Sequence, residues 1–213
     1  MKLYSYFRSS AAFRVRIALQ LKQLDVEILP VHLLKNEQQA ATYIEINPSG
    51  LVPTLLDQGQ VLTQSLSILE YLEEQYPQVN LLPKNVLQRA QVRAFAQHIA
   101  SDIHPLNNLR VLRYLKKQLH VGEDAKNNWY RHWITQGFDS LEQQLQQHST
   151  TGQFCFGDQV TFADCCLIPQ VYNAKRFDID LSAYPLIQSI DQHCMQIKAF
   201  QQAAPEQQPD WNI

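Results

Sequence analysis

The hydrophobic positions near the start of the chain change from one periodicity to another and back, which predicts a strand, a helix and a second strand. A short apolar run at Leu3–Phe7 is typical of a strand. Within Ser10–Leu24, apolar side chains recur at about 100° per residue and form one stripe, which predicts an amphipathic helix; the stripe contains Phe13, Ile17, Leu21 and Leu24. A second apolar run, Val26–His32, predicts another strand. Because strand, helix and strand follow one another, we expect the two strands to be parallel.

The two arginines inside this predicted helix lie on different faces. Arg16, together with Gln20 and Gln23, falls on the polar arc and is expected to face water. Arg14 falls inside the apolar arc, where an unpaired charge is costly. Two interpretations of Arg14 therefore stay open: a structural arginine paired across a domain interface, or a direct ligand for an anion.

The remaining apolar pattern changes character near Pro77–Asn85. Before that point it predicts a weak helix at Asn36–Tyr43, a hairpin of Pro53–Leu56 and Gln60–Thr63, and a clear helix at Ser65–Tyr76 that Pro77 ends. After Leu82–Lys84 the pattern predicts helices only, over Asn85–Leu119 (with a break at Pro105), Ala125–Gln147, Thr161–Phe177, Ala183–Cys194 and Gln196–Ala203. We therefore expect two domains, an α/β domain over 1–80 and an all-α domain over 85–213.

Composition removes several classes of function. The chain has 213 residues, a hydrophobic share of 45% and a net charge of −2, which gives no reason to expect nucleic-acid binding. No apolar run reaches the roughly 18 residues of a membrane span, and Met1–Ser10 lacks the apolar core of a signal peptide. The four cysteines form no C-x-x-C pair and no metal-ligand spacing. A reduced, cytoplasmic protein with buried thiols and no bound metal is expected.

Candidate chemistry lies where the first strand turns into the first helix. Ser9 and Ser10 stand at the predicted helix start, where a serine oxygen can accept a bond from an unpaired helical N–H. The same helix end favours anions such as a thiolate. The two serines are therefore either helix caps only or also hydrogen-bond donors to an anion. A serine hydrolase is disfavoured, because no G-x-S-x-G motif is present.

The stretch LYSYFRSSAAFRVRIAL, Leu3–Leu19, resembles the opening of the zeta-class glutathione transferases, the family of the maleylacetoacetate isomerases. That family has a cysteine where Ala11 stands and a tryptophan where Phe13 stands. The resemblance continues, in the same order, through Asn47–Leu55, Gln64–Glu74, His104–Leu112, Phe156–Val171 and Arg176–Pro185. It implies the glutathione transferase fold, with an N-terminal thioredoxin-like α/β domain that binds glutathione and a C-terminal all-α domain that binds substrate. It also implies a homodimer.

The resemblance further implies roles for residues of the first domain. Ser9, assisted by Ser10, would donate a hydrogen bond to the glutathione sulfur, and Val52 would pair with the glutathione backbone beside a cis bond to Pro53. Gln64 and Ser65 would bind the γ-glutamyl carboxylate, although Ser65 is also a good helix N-cap on sequence alone. The resemblance also implies that Ala11, Ala12, Phe13, Arg14 and Gln38 would contribute to the glutathione site of this domain.

In the helical domain, the resemblance assigns the closing of the glutathione site to His104, Asn108, Leu109 and Arg110. A lone histidine such as His104 is more often a surface or capping residue. Arg8, Arg110 and Arg176 would converge on the carboxylates of the substrate, because arginine is always charged and binds carboxylate bidentately. Read singly, each of these arginines is an ordinary solvated charge.

The capping-box sequence Thr161-Phe162-Ala163-Asp164 indicates a helix start and is assigned to folding. The resemblance favours a glutathione-dependent cis–trans isomerase that converts maleylacetoacetate to fumarylacetoacetate, in aromatic amino acid catabolism, by reversible addition of the glutathione thiolate. The alternatives are a maleylpyruvate isomerase, a general zeta-class glutathione transferase and, in a different class, a non-catalytic binding module on the same fold.

Overall fold

A computed structural model describes residues 1–147 and 151–211 of the chain. Its contacts divide the chain into two compact units, one formed by Met1–Leu81 with the segment from Met195 onward, the other by Leu82–Cys194. The expected division into 1–80 and 85–213 differs from this packing at the C-terminus. The last segment is helical, as its pattern predicts, but its short helix packs against the first helix of the chain.

The first unit is built on a four-stranded mixed sheet in the order β2-β1-β3-β4. Its strands are β1 (Lys2–Ser5), β2 (Glu27–Pro30), β3 (Thr54–Asp57) and β4 (Gln60–Thr63). β1 pairs with β2 in parallel, with Leu3 beside Ile28, and with β3 in antiparallel fashion, with Leu3 beside Leu55. The parallel pair and the hairpin are both as the sequence predicts. Gln58 and Gly59 close the hairpin with φ of 49° and 76°, the left-handed pair that a two-residue hairpin turn requires.

The helices of this unit follow the predicted pattern with shorter ends. They are α1 (Ser10–Leu21), α2 (Ala41–Ile44), α3 (Ser65–Gln75) and α9 (Lys198–Ala203), with 3-10 turns at Leu33–Lys35, Glu37–Gln39 and Pro205–Gln207. The weak helix expected at Asn36–Tyr43 is thus a 3-10 turn followed by one helical turn. Phe13 and Ile17 lie in the core, as the apolar stripe of α1 predicts.

The prediction that Arg16 faces water is wrong. Arg16 is 3% exposed, and its guanidinium donates through Nε to the carbonyl oxygen of Ala203 at 2.9 Å. A helical wheel assigns the polar arc of α1 to solvent. It cannot show that α9, about 180 residues later in the chain, covers that arc.

In the part of the second unit that the structure describes, the regular elements are helices, apart from one isolated β-bridge between Phe154 and Gly157. Its α-helices are α4 (Val86–Gln97), α5 (Leu109–Lys117), α6 (Glu123–Gln147), α7 (Phe162–Arg176) and α8 (Pro185–Cys194). Between α4 and α5 the chain runs through a π-helical turn, His98–Ile103, and a 3-10 turn, His104–Asn107, which is where the sequence predicts a break at Pro105. In the described residues, every helix is too short or too polar to span a bilayer.

The start of α7 is the predicted capping box. Asp164 is fully buried, and its Oδ2 accepts the N–H of Thr161 at 2.7 Å and the Thr161 hydroxyl at 2.9 Å. Its Oδ1 accepts the N–H of Cys155 at 2.8 Å, so the box also ties the preceding loop to the helix. Burial raises the pKa of Asp164, although these hydrogen bonds oppose the rise.

Candidate active site

The pairing of the strands brings three predicted site segments to one edge of the sheet. Tyr4 pairs with Thr54, and Thr54 pairs with Thr63. The end of β1, the start of β3 and the end of β4 therefore lie side by side. Ser9 follows the first of these strand ends, Val52 and Pro53 precede the second, and Gln64 and Ser65 follow the third. The register alone thus places the segments 6–10, 52–53 and 64–65 at a common edge.

Ser9 is the N-cap residue of α1, in extended backbone geometry, and its Oγ accepts the N–H of Ala12 at 3.2 Å. The Ser9 N–H in turn donates to the carbonyl oxygen of Tyr6 at 2.9 Å, which closes a tight turn over residues 6–9. A hydroxyl has one hydrogen to donate besides its acceptor sites. The capping bond uses an acceptor site of the Ser9 oxygen and does not use the hydroxyl hydrogen. The hydroxyl can therefore still donate to an anion at the helix start. The two interpretations of Ser9, cap and donor, are therefore compatible.

The other residues of the first turn of α1 are mostly turned inward. Ser10 is 6% exposed, and Ala12 and Phe13 are buried in the core. Ala11, which stands where the related family has a cysteine, is half-buried. The side chains of Ala12 and Phe13 are thus covered by the protein, and only their backbone is left for the glutathione role expected of them.

Arg14 connects the starts of two helices. It is 1% exposed, and its Nη1 donates to Oγ of Ser65 at 3.1 Å, which ties α1 to the start of α3 within the first unit. This bond gives Arg14 a structural partner. Ser65 belongs to the same unit as Arg14, so this bond is not a pairing across a domain interface.

The start of α3 departs from regular backbone geometry. Gln64, not Ser65, occupies the N-cap position, so the prediction of Ser65 as the cap is wrong by one residue. Gln64 has φ of 67°, a value that non-glycine residues rarely adopt, and its side chain is exposed. Such outliers concentrate at functional sites. The hydroxyl of Ser65, which accepts from Arg14, is 6% exposed at this helix start.

The Val52-Pro53 peptide bond is cis, as predicted. The Val52 side chain packs in a cluster with Tyr6, Val31 and Tyr43, so this peptide lies next to the turn that carries Ser9. Sequence reasoning missed the residues that hold the loop. Asn47 Nδ2 donates to the carbonyl oxygen of Leu51 at 2.8 Å and to Thr54 Oγ1 at 2.9 Å, and the Tyr43 hydroxyl also donates to the Leu51 carbonyl oxygen at 2.6 Å.

Gln38 carries an orphaned polar atom near the same loop. Its side chain is 7% exposed, and its Oε1 has no hydrogen-bond partner among the described residues. The carbonyl oxygen of Gln38 lies 3.1 Å from the position that a Cβ on Gly50 would take, so the 3-10 turn packs against the loop that leads to Val52. A buried carboxamide oxygen without a donor suits an amide or ammonium group of a bound ligand.

The predicted residues of the helical unit lie at the start of α5. Asn108 is the N-cap, and its Oδ1 accepts the N–H of Arg110 at 3.0 Å. Leu109 is the first helical residue, His104 is half-buried in the preceding 3-10 turn, and the Arg110 side chain is exposed. Asn108 thus has a clear capping role that the sequence did not assign to it.

Two features connect this turn to Arg176 within the helical unit. Asn107 Nδ2 donates to the carbonyl oxygen of Tyr130 at 3.0 Å, and the Tyr130 ring stacks on Phe177 at 3.6 Å between centroids. Arg176 is exposed, with Nη1 3.2 Å from Asn173 Oδ1 and its guanidinium 5.6 Å from the centre of the Phe177 ring. Both predicted arginines of this unit therefore adjoin segments that pack on Tyr130.

Arg8, the predicted arginine of the first unit, directly precedes the cap. It is half-buried, its Nη2 donates to the Tyr6 hydroxyl at 3.2 Å, and its guanidinium lies 5.2 Å from the centre of the Phe7 ring. The aromatic contacts hold the guanidinium close to the turn over residues 6–9, and no carboxylate of the described residues forms an ion pair with it.

The cysteines do not contribute a nucleophile at this edge of the sheet. All four thiols, at Cys155, Cys165, Cys166 and Cys194, are free and buried. Burial raises the pKa of Cys155 and of Cys194, so both stay protonated at neutral pH. Over residues 1–147 and 151–211, histidine, cysteine and acidic side chains form no group of three or more suited to a metal ion. A reactive sulfur at Ser9 must therefore come from a bound thiol.

Comparison with known proteins gives a consistent result. Residues 1–74 match the family model of the glutathione S-transferase N-terminal domain, and residues 127–189 match that of the C-terminal domain. A probable maleylacetoacetate isomerase of Vibrio cholerae is 52% identical over 98% of this chain and 97% of its own length. A maleylpyruvate isomerase of a Ralstonia species is 48% identical over 99% of both chains. A crystal structure of maleylacetoacetate isomerase from Methylobacterium extorquens, with malonate and glutathione bound, matches at a TM-score of 0.96 and 40% identity over 98% of both chains.

Proposed function

This chain belongs to the zeta class of the glutathione S-transferase family, and on that premise we propose that it is a glutathione-dependent isomerase that converts maleylacetoacetate to fumarylacetoacetate. The observation that carries the proposal is the Ser9 hydroxyl, fixed at the start of α1 with its hydrogen left to donate. It stands at the edge of the sheet where the cis Val52-Pro53 peptide and the start of α3 also lie.

Glutathione, when bound, supplies a thiolate that adds reversibly to the cis double bond of the substrate and so allows that bond to rotate. The Ser9 hydroxyl donates to the sulfur and stabilises the thiolate over the thiol, and the helix start adds positive potential. The buried protein thiols leave this role to the cofactor, so Ala11 in place of the family's cysteine does not remove the reacting sulfur.

The residues around Ser9 fit a γ-glutamyl tripeptide. Val52 offers backbone N–H and C=O groups to an extended peptide, in the manner of strand addition at a sheet edge. Gln64 and Ser65 offer an amide, a hydroxyl and helix N–H groups to a carboxylate. The orphaned Gln38 Oε1 is available to a donor on the ligand. Ser10, Ala11, Ala12, Phe13 and Arg14, together with His104, Asn108, Leu109 and Arg110, complete the proposed glutathione set.

Three arginines carry the proposed recognition of the substrate carboxylates. Arg8 and Arg176 each have a guanidinium held by one neutral acceptor and a neighbouring ring, which leaves further N–H groups for a carboxylate. Arg110 is exposed on the first turn of α5. Fixed positive charge also stabilises the negative charge that develops on the substrate during addition. A small dicarboxylate is therefore the proposed substrate class.

The test is an isomerase assay of the purified protein on maleylacetoacetate and on maleylpyruvate, each with and without glutathione. We expect turnover on maleylacetoacetate that requires glutathione. Higher catalytic efficiency on maleylpyruvate would favour the second candidate, which the Ralstonia relative supports. A halogenated acid is included as a substrate for a general transferase. If the protein is retained on immobilised glutathione but turns over none of the three acids, it is a non-catalytic binding module.

The assembly and location complete the proposal. Zeta-class membership supports a homodimer, which sedimentation or light scattering of the purified protein tests directly. The cytoplasm is the proposed location, because buried free thiols suit a reducing compartment. A net charge of −2 gives no reason to add a nucleic acid to the partners.

A further inference from the structure

The C-terminal segment packs against the turn that leads into Ser9. We call residues 198–211 the C-terminal strap; it consists of α9, the 3-10 turn Pro205–Gln207 and the residues Gln208–Trp211. The strap and the turn over residues 6–9 belong to the same structural unit. Gln208 fixes the strap internally, because its Nε2 donates to the carbonyl oxygens of Ala204 at 2.9 Å and Gln202 at 3.1 Å.

Asp210 holds the backbone of the turn directly. It is 2% exposed, and its Oδ2 accepts the N–H of Phe7, two residues before Ser9, at 3.0 Å. A hydrogen bond to a charged acceptor is about twice as strong as one between neutral groups. Since the Ser9 N–H closes the same turn on Tyr6, the peptide group that Asp210 fixes helps to set the direction in which Ser9 enters α1.

Arg16 holds the same turn from α1. Its Nη2 donates to the carbonyl oxygen of Phe7 at 3.0 Å and its Nη1 to the Ser5 hydroxyl at 3.0 Å, while its Nε donates to Ala203 in the strap. One buried guanidinium therefore joins the strap to the turn. The backbone groups of Phe7 are held on one side by a carboxylate from the strap and on the other by this arginine.

Trp211 reaches the aromatic side chain of the turn. Its ring meets Phe7 edge to face at 5.4 Å between centroids and an angle of 89°. The same Phe7 ring lies 5.2 Å from the guanidinium carbon of Arg8. Trp211 thus limits the positions of Phe7, and Phe7 limits the positions of the Arg8 guanidinium.

We propose that the C-terminal strap is a positioning element of the active site, in which Asp210 orients the turn that presents Ser9 and Trp211 orients Arg8 through Phe7. Neither residue is assigned a contact with glutathione or substrate. The Trp211 part rests on the proposed dicarboxylate substrate. The Asp210 part rests only on the proposed hydrogen bond from Ser9 to the sulfur of glutathione.

The test compares Asp210→Ala with Asp210→Asn, which keeps an acceptor oxygen, and Trp211→Ala with Trp211→Phe, which keeps an aromatic ring. Gln207→Ala, at an exposed position of the strap, is the matched control. Three quantities are measured: the pKa of enzyme-bound glutathione from the ultraviolet absorbance of its thiolate, kcat and KM for the isomerisation, and the melting temperature. All kinetic measurements are made well below the lowest melting temperature of the set.

Asp210→Ala removes the charged acceptor that holds the turn over residues 6–9, so Ser9 is less well oriented towards the sulfur. This variant should therefore lower kcat about ten-fold and raise the pKa of bound glutathione. Asp210→Asn should restore kcat to within about three-fold of the parent, since a neutral acceptor is about half as strong. Trp211→Ala should raise KM for the acid more than KM for glutathione, and Trp211→Phe should reverse most of that change.

A purely structural strap gives a different result. In that case Asp210→Ala would lower the melting temperature but leave kcat and the pKa of bound glutathione at the parental values, which overturns the role of Asp210. Trp211→Ala would change the KM values for the acid and for glutathione alike, which overturns the role of Trp211. If Asp210→Ala does not fold, a parental pKa of glutathione bound to Asp210→Asn overturns the Asp210 half. The Trp211 pair tests the other half, because Trp211 is 37% exposed and its replacement is less disruptive. If the parent isomerises neither acid, the proposed function fails, whereas the titration of bound glutathione still tests Asp210.

Discussion

Ser9 is expected to serve stability and catalysis through different parts of one hydroxyl, and two substitutions separate them. Its oxygen caps α1 by accepting the Ala12 N–H. Its hydrogen is proposed to donate to the glutathione sulfur. Ser9→Ala removes both functions. Ser9→Asp keeps a strong N-cap acceptor but places a negative charge beside the thiolate and cannot donate when ionised.

The size of each effect follows from the geometry and from reference values. Replacing a serine N-cap by alanine lowers the free energy of unfolding by about 1 kcal/mol. A free thiol with a pKa of roughly 8.5 is about 3% ionised at pH 7, whereas a pKa lowered by one to two units gives about 25–75% thiolate. Ser9→Ala should therefore reduce turnover about ten-fold at pH 7, and the deficit should shrink above roughly pH 8.5, where the thiol ionises without help. Ser9→Asp should show full stability and an equal or larger loss of turnover.

Asn85 provides the matched control for the capping effect. It is the N-cap of α4, where its Oδ1 accepts the Gln88 N–H at 3.1 Å, and it is exposed. Asn85→Ala should cost a similar free energy of unfolding and leave the pH profile of turnover unchanged. Urea unfolding and turnover between pH 6 and pH 9 measure both quantities. If Ser9→Asp keeps parental turnover at pH 7, or if the Ser9→Ala deficit is the same at every pH, the hydroxyl does not act by stabilising a thiolate.

Three further substitutions test other parts of the argument. Arg176→Ala and Arg110→Ala should each lower kcat/KM for the dicarboxylate about ten- to a hundred-fold, and Arg176→Ala should do so with glutathione affinity unchanged, while Lys117→Ala, also an exposed cation of the helical unit, should have little effect. If all three variants behave alike, the arginines do not bind the substrate. Arg16→Met should lower the free energy of unfolding in urea by at least about 3 kcal/mol, since several buried acceptors lose their donor. Burial holds the pKa of Asp164 above its ordinary value, so the folded state binds the proton of this carboxyl more tightly than the unfolded state does. The free energy of unfolding should therefore fall as the pH rises from the unfolded-state pKa through the folded-state pKa. Urea unfolding of Asp164→Asn should show no such fall over the same pH range.

Most helices and strands could be predicted from the sequence, because each of them has a signal within a short stretch of the chain. The parallel pair of β1 and β2, the hairpin with Gly59 at its turn and the capping box at Thr161 each have a short-range signature. The packing of the strap on α1 has no such signature. Its effect is large, since it buries Arg16 on a face that the sequence assigns to water and moves the end of the chain into the first unit.

The supporting contacts of the site were hidden from the sequence for the same reason. Phe7 and Asp210 are 203 positions apart, and Arg14 and Ser65 are 51 positions apart. Asn47 and Tyr43 lie close in sequence to Leu51, but their side chains act on a loop whose shape no periodicity reveals. Family resemblance supplied the proposed roles of Ser9, Gln64 and Ser65. It supplied none for Asp210, because the matching motifs do not include the residues that hold the turn in place.

The two helix starts at the sheet edge show why some site residues are predictable from physics and others are not. At α1, the proposed catalytic demand agrees with the local rule, since one serine oxygen can cap the helix while its hydrogen donates to an anion. At α3, the structure departs from the rule: the local sequence favours Ser65 as the N-cap, but Gln64 takes that position with a φ of 67°. A strained residue persists only where surrounding contacts over-determine it. Here the bond from Arg14 to Ser65 and the pairing of Thr63 with Thr54 fix both sides of Gln64, so the strain at α3 depends on residues of α1 and β3 that the local sequence does not contain.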